Sequence, residues 1–197
     1  MPVPCVQNFM YQLLKGVAHC HKHGVMHRDL KPQNLFLHEP AGAPRAWKLL
    51  DFGVSKLSDS SGTLTQNLII GTPGYMSPEQ ARGQPTDPTS DLFSLGAVLY
   101  RALTGQAPFR GTDTPQILFD LCYRGPRRPT ELAPRLPIDI DLFLAVALGK
   151  RPIDRFATVA DLATAFRAAT TDRLDSALRR RAELLLSDLP WGGRLRS

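Results

Sequence analysis

The chain has 197 residues, 43% hydrophobic and 21% charged, with a formal net charge of +6. That length suffices for one domain with a sizeable core, and the composition excludes a disordered chain. The modest positive charge suits acidic partners or a nucleotide, but no RNA- or DNA-binding signature accompanies it, so no nucleic-acid partner is expected.

Cys5, Cys20 and Cys122 are odd in number and unrelated in spacing, which argues against a disulfide framework and for a reducing compartment. Met1-Pro2-Val3-Pro4 has neither the basic start nor the apolar core of a signal peptide. No apolar run approaches bilayer length, so a soluble, cytoplasmic protein without a transmembrane segment is expected.

In chain order, residues 6–23 place Phe9, Leu13 and Val17, with Met10, Leu14 and Ala18 alongside, at the i, i+4 spacing of an amphipathic helix that Gly24 stops. His27-Arg28-Asp29-Leu30-Lys31-Pro32-Gln33-Asn34 follows. Leu35-Phe36-Leu37 and Trp47-Lys48-Leu49-Leu50 are short apolar runs around a loop with Pro40, Gly42 and Pro44, the pattern of a hairpin. That hairpin brings Asn34 near Asp51, the first residue of Asp51-Phe52-Gly53. Residues 55–67 are polar and rich in Ser and Thr, the composition of a mobile loop. Gly71-Thr72-Pro73-Gly74-Tyr75-Met76-Ser77-Pro78-Glu79 comes next.

From Asp91 to Leu103 apolar residues run nearly all round, which predicts a buried helix, with Ser90 or Asp91 as its cap and Gly105 after its end. Thr114-Pro115 opens another helix that Gly125 ends, and residues 126–137 form a proline-rich connection. Further helices are predicted over 139–148 and 158–169, the second with a capping-box-like start at Thr158. Residues 172–186 are amphipathic, with Leu174, Leu178 and Leu185 on one side and Arg179, Arg180 and Arg181 elsewhere.

Residues 27–34 match H-R-D-L-x-x-x-N at every fixed position, and D-F-G and a variant of A-P-E follow in family order. On these three motifs the chain resembles the C-terminal lobe of a eukaryotic-type serine/threonine protein kinase, over roughly residues 5–170. The stretch Gly71 to Gly83 is similar to that of the bacterial members, and Lys31-Pro32 to the serine/threonine class. Nothing upstream of His27 in this sequence could be a Gly-rich phosphate loop or a V-A-I-K strand, so the amino-terminal lobe is expected to be absent.

The resemblance implies roles residue by residue. Asp29 would be the base toward a substrate hydroxyl, and Lys31 would touch the transferring phosphate. Asn34 and Asp51 would hold Mg²⁺ through oxygen. Phe36, where the family usually has Leu, would floor the adenine of ATP. Thr72 would hydrogen-bond Asp29 and Lys31, Glu79 would pair with Arg155, and Asp91 would brace the backbone of the loop. Arg28 would meet a phosphorylated residue among Ser58, Ser60, Ser61, Thr63 and Thr65. The cofactors implied are ATP and Mg²⁺, and the partner is a protein substrate.

Blander readings apply elsewhere. His19, Cys20, His21 and His23 are read as residues of a solvated helix surface rather than a metal site, His27 as a packing residue of the loop. Asp139 and Asp141 are read as helix-start charges. The Arg-rich tail is read as the solvated face of a helix. The expected fold is mainly α with a small β-hairpin, a kinase-like C-terminal lobe over residues 1–170 and a basic amphipathic helical tail over 171–197. The expected activity is transfer of the ATP γ-phosphate to protein Ser/Thr hydroxyls. The alternative is a non-catalytic binding module or truncated lobe whose exposed upper surface takes a partner.

Overall fold

The structure is a computed structural model, and it describes residues 3–42, 44–51 and 73–195. Phe52 and Gly53, the Ser/Thr-rich loop and Gly71-Thr72 lie outside the described residues.

Helix α1, Val3–Lys22, begins earlier than its apolar pattern suggested and ends where Gly24 adopts φ 70°. Its stripe of Val6, Phe9, Met10, Leu13, Leu14 and Val17 is fully buried. Strands β1, Leu35–His38, and β2, Ala46–Leu49, pair antiparallel with Leu35 opposite Leu49 and Leu37 opposite Trp47. Alternation puts Leu35, Trp47 and Leu49 against the core and Phe36 on the other face, 53% exposed. Phe9 meets Trp47 edge-on at 4.6 Å. At Gly16 a Cβ would lie 3.1 Å from Leu49 Cδ1, so the missing side chain sets how closely α1 and β2 approach.

A short α2, Pro78–Ala81, precedes the central α3, Pro88–Thr104. The cap of α3 is Asp87, not Ser90 or Asp91: the Asp87 side chain accepts from the Thr89 N–H and Pro88 takes the first helical position. Ser90 and Asp91 sit inside the helix because their side chains serve tertiary contacts. The expected stop holds, with Gly105 at φ 78°. Helix α3 is buried on nearly every face and packs on α1 and on α6, Asp139–Ala147. At their crossing a Cβ on Gly96 would come 3.0 Å from Ala147 Cβ.

Helix α4, Thr114–Tyr123, is capped by Asp113 and ends before Gly125, with Arg124 as its C-cap. The connection after it contains a four-residue helix, α5, Pro129–Leu132. Helix α7, Val159–Ala169, starts with the capping box foreseen at Thr158, closed by Asp161.

The last helix, α8, Ser176–Asp188, packs on α6, and Leu174 and Ala182 belong to the same core. Its arginines are not all solvated. Arg179 reaches Asp139 at 2.6 Å, and Arg181 donates to the carbonyls of Ile153 and Arg155. Asp139 and Asp141 do stand in the first turn of α6, but both are buried. Asp141 is satisfied by Arg128 and Thr130, and Asp139 Oδ2 accepts from the Leu174 N–H as well as Arg179. Beyond α8 the chain clips onto the end of α4, with Gly125 N–H donating to Gly193, Gly192 N–H to Pro126 and Leu195 N–H to Tyr123. No helix among the described residues is long and apolar enough to cross a membrane.

Candidate active site

The loop between α1 and β1 is held from below by one buried carboxylate. Asp91, 1% exposed on α3, accepts the backbone N–H groups of His27 and Arg28, both at 2.8 Å. Arg28 sits at φ 65°, a conformation a non-glycine residue keeps only when its surroundings fix it. Those surroundings include Gln80, whose Nε2 donates to the Arg28 carbonyl at 2.8 Å. The Gln80 Oε1 atom accepts from the Ser77 N–H, closing a capping box on α2. One glutamine thus ties the segment after residue 72 to the loop.

His21, expected as a solvated helix-surface residue, instead turns inward: its Nε2 lies 2.8 Å from Asp91 Oδ2. His27 is buried, and its Nδ1 accepts from the Asp29 N–H at 3.3 Å. The ring proton is therefore on Nε2, which donates to the Leu50 carbonyl at 3.1 Å. Burial pushes the His27 imidazole below its ordinary pKa, so it stays neutral and ties the loop to the end of β2.

On this frame the expected polar residues converge. Lys31 Nζ lies 2.8 Å from Asp29 Oδ2, and Asn34 Nδ2 donates both to Asp29 Oδ2, at 3.0 Å, and to the Asp29 carbonyl, at 2.8 Å. A 3-10 turn over Pro32–Asn34 brings Asn34 back under Asp29, closed by the Asn34 N–H on the Lys31 carbonyl. The Leu50 N–H then donates to the Asn34 carbonyl at 2.9 Å, which fixes Asp51, at φ 54°, as the next residue. Asp29 and Lys31 are about one-fifth exposed, Asp51 is exposed and Asn34 is buried. Phe36 is exposed on the hairpin face turned away from the core, and Thr72 lies outside the described residues.

This set fits a hard divalent cation. The Asn34 amide nitrogen is committed to Asp29, which leaves an amide oxygen as that side chain's donor toward a ligand, and Asp51 offers a carboxylate one residue from the backbone link. Oxygen donors of this kind suit Mg²⁺ rather than a soft metal.

A second buried pair braces the site from α2. Arg155, 2% exposed, forks onto Glu79 at 2.6 and 2.7 Å, while Ser90 Oγ donates to Glu79 at 2.6 Å. Here the pairing expected for Glu79 and Arg155 is found.

The family model of the protein kinase domain matches residues 2–162. The chain belongs to the protein kinase family. It is 35% identical over 180 residues to a probable serine/threonine-protein kinase of Corynebacterium efficiens, covering 88% of this chain and 27% of that protein. Against the serine/threonine-protein kinase Pkn1 of Myxococcus xanthus the identity is 34% over 176 residues, 89% of this chain and 25% of the relative. The serine/threonine-protein kinase PknB of Mycobacterium tuberculosis is 39% identical over 144 residues, 72% of this chain and 22% of PknB. This kinase-family chain therefore spans about a quarter of the length of the curated relatives it matches. Its fold resembles the PknI kinase domain of Mycobacterium tuberculosis, with a TM-score of 0.64 at 23% identity, covering 86% of this chain and 56% of that one.

Proposed function

We propose that this chain carries the catalytic loop of a serine/threonine protein kinase, which transfers the γ-phosphate of ATP to a protein hydroxyl. The observation that carries the reading is the sharing of one carboxylate oxygen, Asp29 Oδ2, by Lys31 and Asn34 on a loop pinned by Asp91. Phosphoryl transfer asks mainly for position and charge, and this arrangement supplies both. Asp29 orients the substrate hydroxyl and accepts its proton as the hydroxyl oxygen bonds to phosphorus and the bond to the departing diphosphate breaks. Lys31, next to Asp29, compensates negative charge on the moving phosphoryl group. Asn34 and Asp51 are the residues that would hold Mg²⁺, which neutralises charge on the phosphates when bound. Phe36 offers an apolar floor to the adenine, and the exposed Leu50 extends the apolar surface beside it.

The test is transfer of radiolabelled phosphate from ATP to serine- and threonine-containing peptides. It is run with the purified chain alone and with the chain joined to the amino-terminal lobe of the mycobacterial relative PknB. Transfer in the joined protein that Asp29→Asn abolishes while the circular dichroism spectrum is unchanged is the expected result. Turnover surviving in Asp29→Asn, or none in the folded joined protein, overturns the proposal and favours a binding module.

A further inference from the structure

Away from the Asp29 loop, a cavity of about 330 Å³ opens between the end of α3, helix α4 and the segment 124–127, with Gly192 of the carboxy-terminal clip on its rim. Pro108, Phe109, Pro126 and Leu132 contribute apolar wall, and Arg110, Arg124 and Arg127 line it, with Asp120 the only lining carboxylate among the described residues. Three arginines thus share the lining with one acid. Arg110 is held by a neutral partner, Gln106 Oε1, at 2.8 Å, and Arg127 has no carboxylate partner among the described residues. Asp120 itself is shared, since its Oδ1 also accepts from Gln116 at 2.9 Å.

A second observation points to a missing acceptor. The Nε atom of Arg124 is buried and makes no hydrogen bond among the described residues. It lies 3.4 Å from Asp120 Oδ1, but the N–H is not aimed at that oxygen. The Arg124 side chain is about one-third exposed, so its guanidinium can turn toward an anion in the cavity and gain the acceptor its Nε–H lacks.

We propose that this cavity is a binding site for a phosphomonoester. Two positive charges beyond the one Asp120 offsets match a dianion better than a carboxylate, and guanidinium forks fit the oxygens of phosphate. The apolar wall takes the organic group that carries the phosphate, be it a small molecule or a phosphorylated peptide side chain. The rim at Gly192 is set by the clip: Gly192 N–H donates to Pro126 at 2.8 Å, beyond the residues that match the family. The site stands independently of the phosphoryl-transfer reading.

The experiment follows the arginine Nε–H resonances of the ¹⁵N-labelled full chain by NMR. The probes, added in turn, are inorganic phosphate, phenyl phosphate and a phosphoserine peptide, with acetate as control. The expected result is a saturable shift of the Arg124 Nε–H that weakens with added salt and below about pH 6, where the dianion takes up a proton. The double variant Arg110→Gln/Arg127→Gln alters two exposed side chains. It should weaken binding by roughly tenfold or more at an unchanged unfolding midpoint. Binding of phenyl phosphate but not the peptide assigns the site to small molecules, and the reverse assigns it to proteins; either supports the phosphomonoester chemistry. No saturable shift with any probe, or equal affinity in the double variant, would overturn the proposal.

Discussion

Removing the Glu79 carboxylate should cost this lobe a large share of its stability. Arg155 is buried, with its Nε on the Gly149 carbonyl at 2.8 Å, its two terminal nitrogens on Glu79, and its guanidinium over the Phe93 ring at 4.9 Å. Glu79→Ala leaves that guanidinium without its counter-charge and Ser90 Oγ without its acceptor, so a loss of about 3–5 kcal/mol is expected. A single domain holds only about 5–15 kcal/mol in all. The depressed pKa of Glu79 reflects the same contacts. Burial alone would raise this carboxyl, but the hydrogen bonds and charge of Arg155, with help from Ser90, override it and hold the group at about 2, against an ordinary 4.5. A tenfold change in proton affinity is about 1.36 kcal/mol, so that depression corresponds to about 3 kcal/mol. Because the folded pKa is depressed, the stability is present above pH 4.5 and lost as pH falls from there toward 2. Urea unfolding followed by circular dichroism, at pH 7 and at steps down to pH 3, reads both numbers. Glu79→Gln, which keeps the shape, should lose stability at pH 7 and show a shallower decline than the parent below pH 4.5. A loss under about 1 kcal/mol for Glu79→Ala, or parallel acid profiles for parent and Glu79→Gln, would refute the argument.

Other outcomes follow from single contacts. Asp91→Ala strands the N–H groups of His27 and Arg28 and the His21 ring, so it should loosen the Asp29 loop and cost on the order of 2–4 kcal/mol; amide exchange at His27 and Arg28 no faster than in the parent would count against this. Gly125→Ala drives a Cβ into the Pro190 carbonyl, so the clip should detach, seen as faster proteolysis within residues 189–195 at unchanged helix content; an unaltered cleavage rate would contradict the close approach. The Arg28 Nε is buried and without a hydrogen bond among the described residues, which fits a phosphate arriving from the Ser/Thr-rich stretch. Mass spectrometry of active protein should find phosphate between Ser55 and Thr65, and full activity after changing Ser58, Ser60, Ser61, Thr63 and Thr65 to Ala would remove that switch.

Much of this molecule is local and therefore legible in the chain. The amphipathic period of α1, the Thr158 capping box, the stop at Gly105 and the two strands around a proline-glycine loop depend on neighbours a few residues apart. The spacing of Asp29, Lys31 and Asn34 is equally local, since one 3-10 turn brings them onto a shared oxygen. The start of α3 was also written locally, in Asp87-Pro88, but the apolar pattern that begins at Leu92 hid it. What needed the tertiary structure was the use of polar side chains far from their own segments. His21 and Gln80 support the loop across separations of 70 and 52 residues, to Asp91 and to the Arg28 carbonyl, and nothing in their neighbourhoods marks them for it. The same is true of Asp139 and Arg179. Each looks like an ordinary surface charge in sequence, and only the docking of α8 on α6 takes the carboxylate out of water and gives it a partner. Periodicity reports which face of a helix is apolar; which other element covers that face, and which charges are buried with it, is decided by packing.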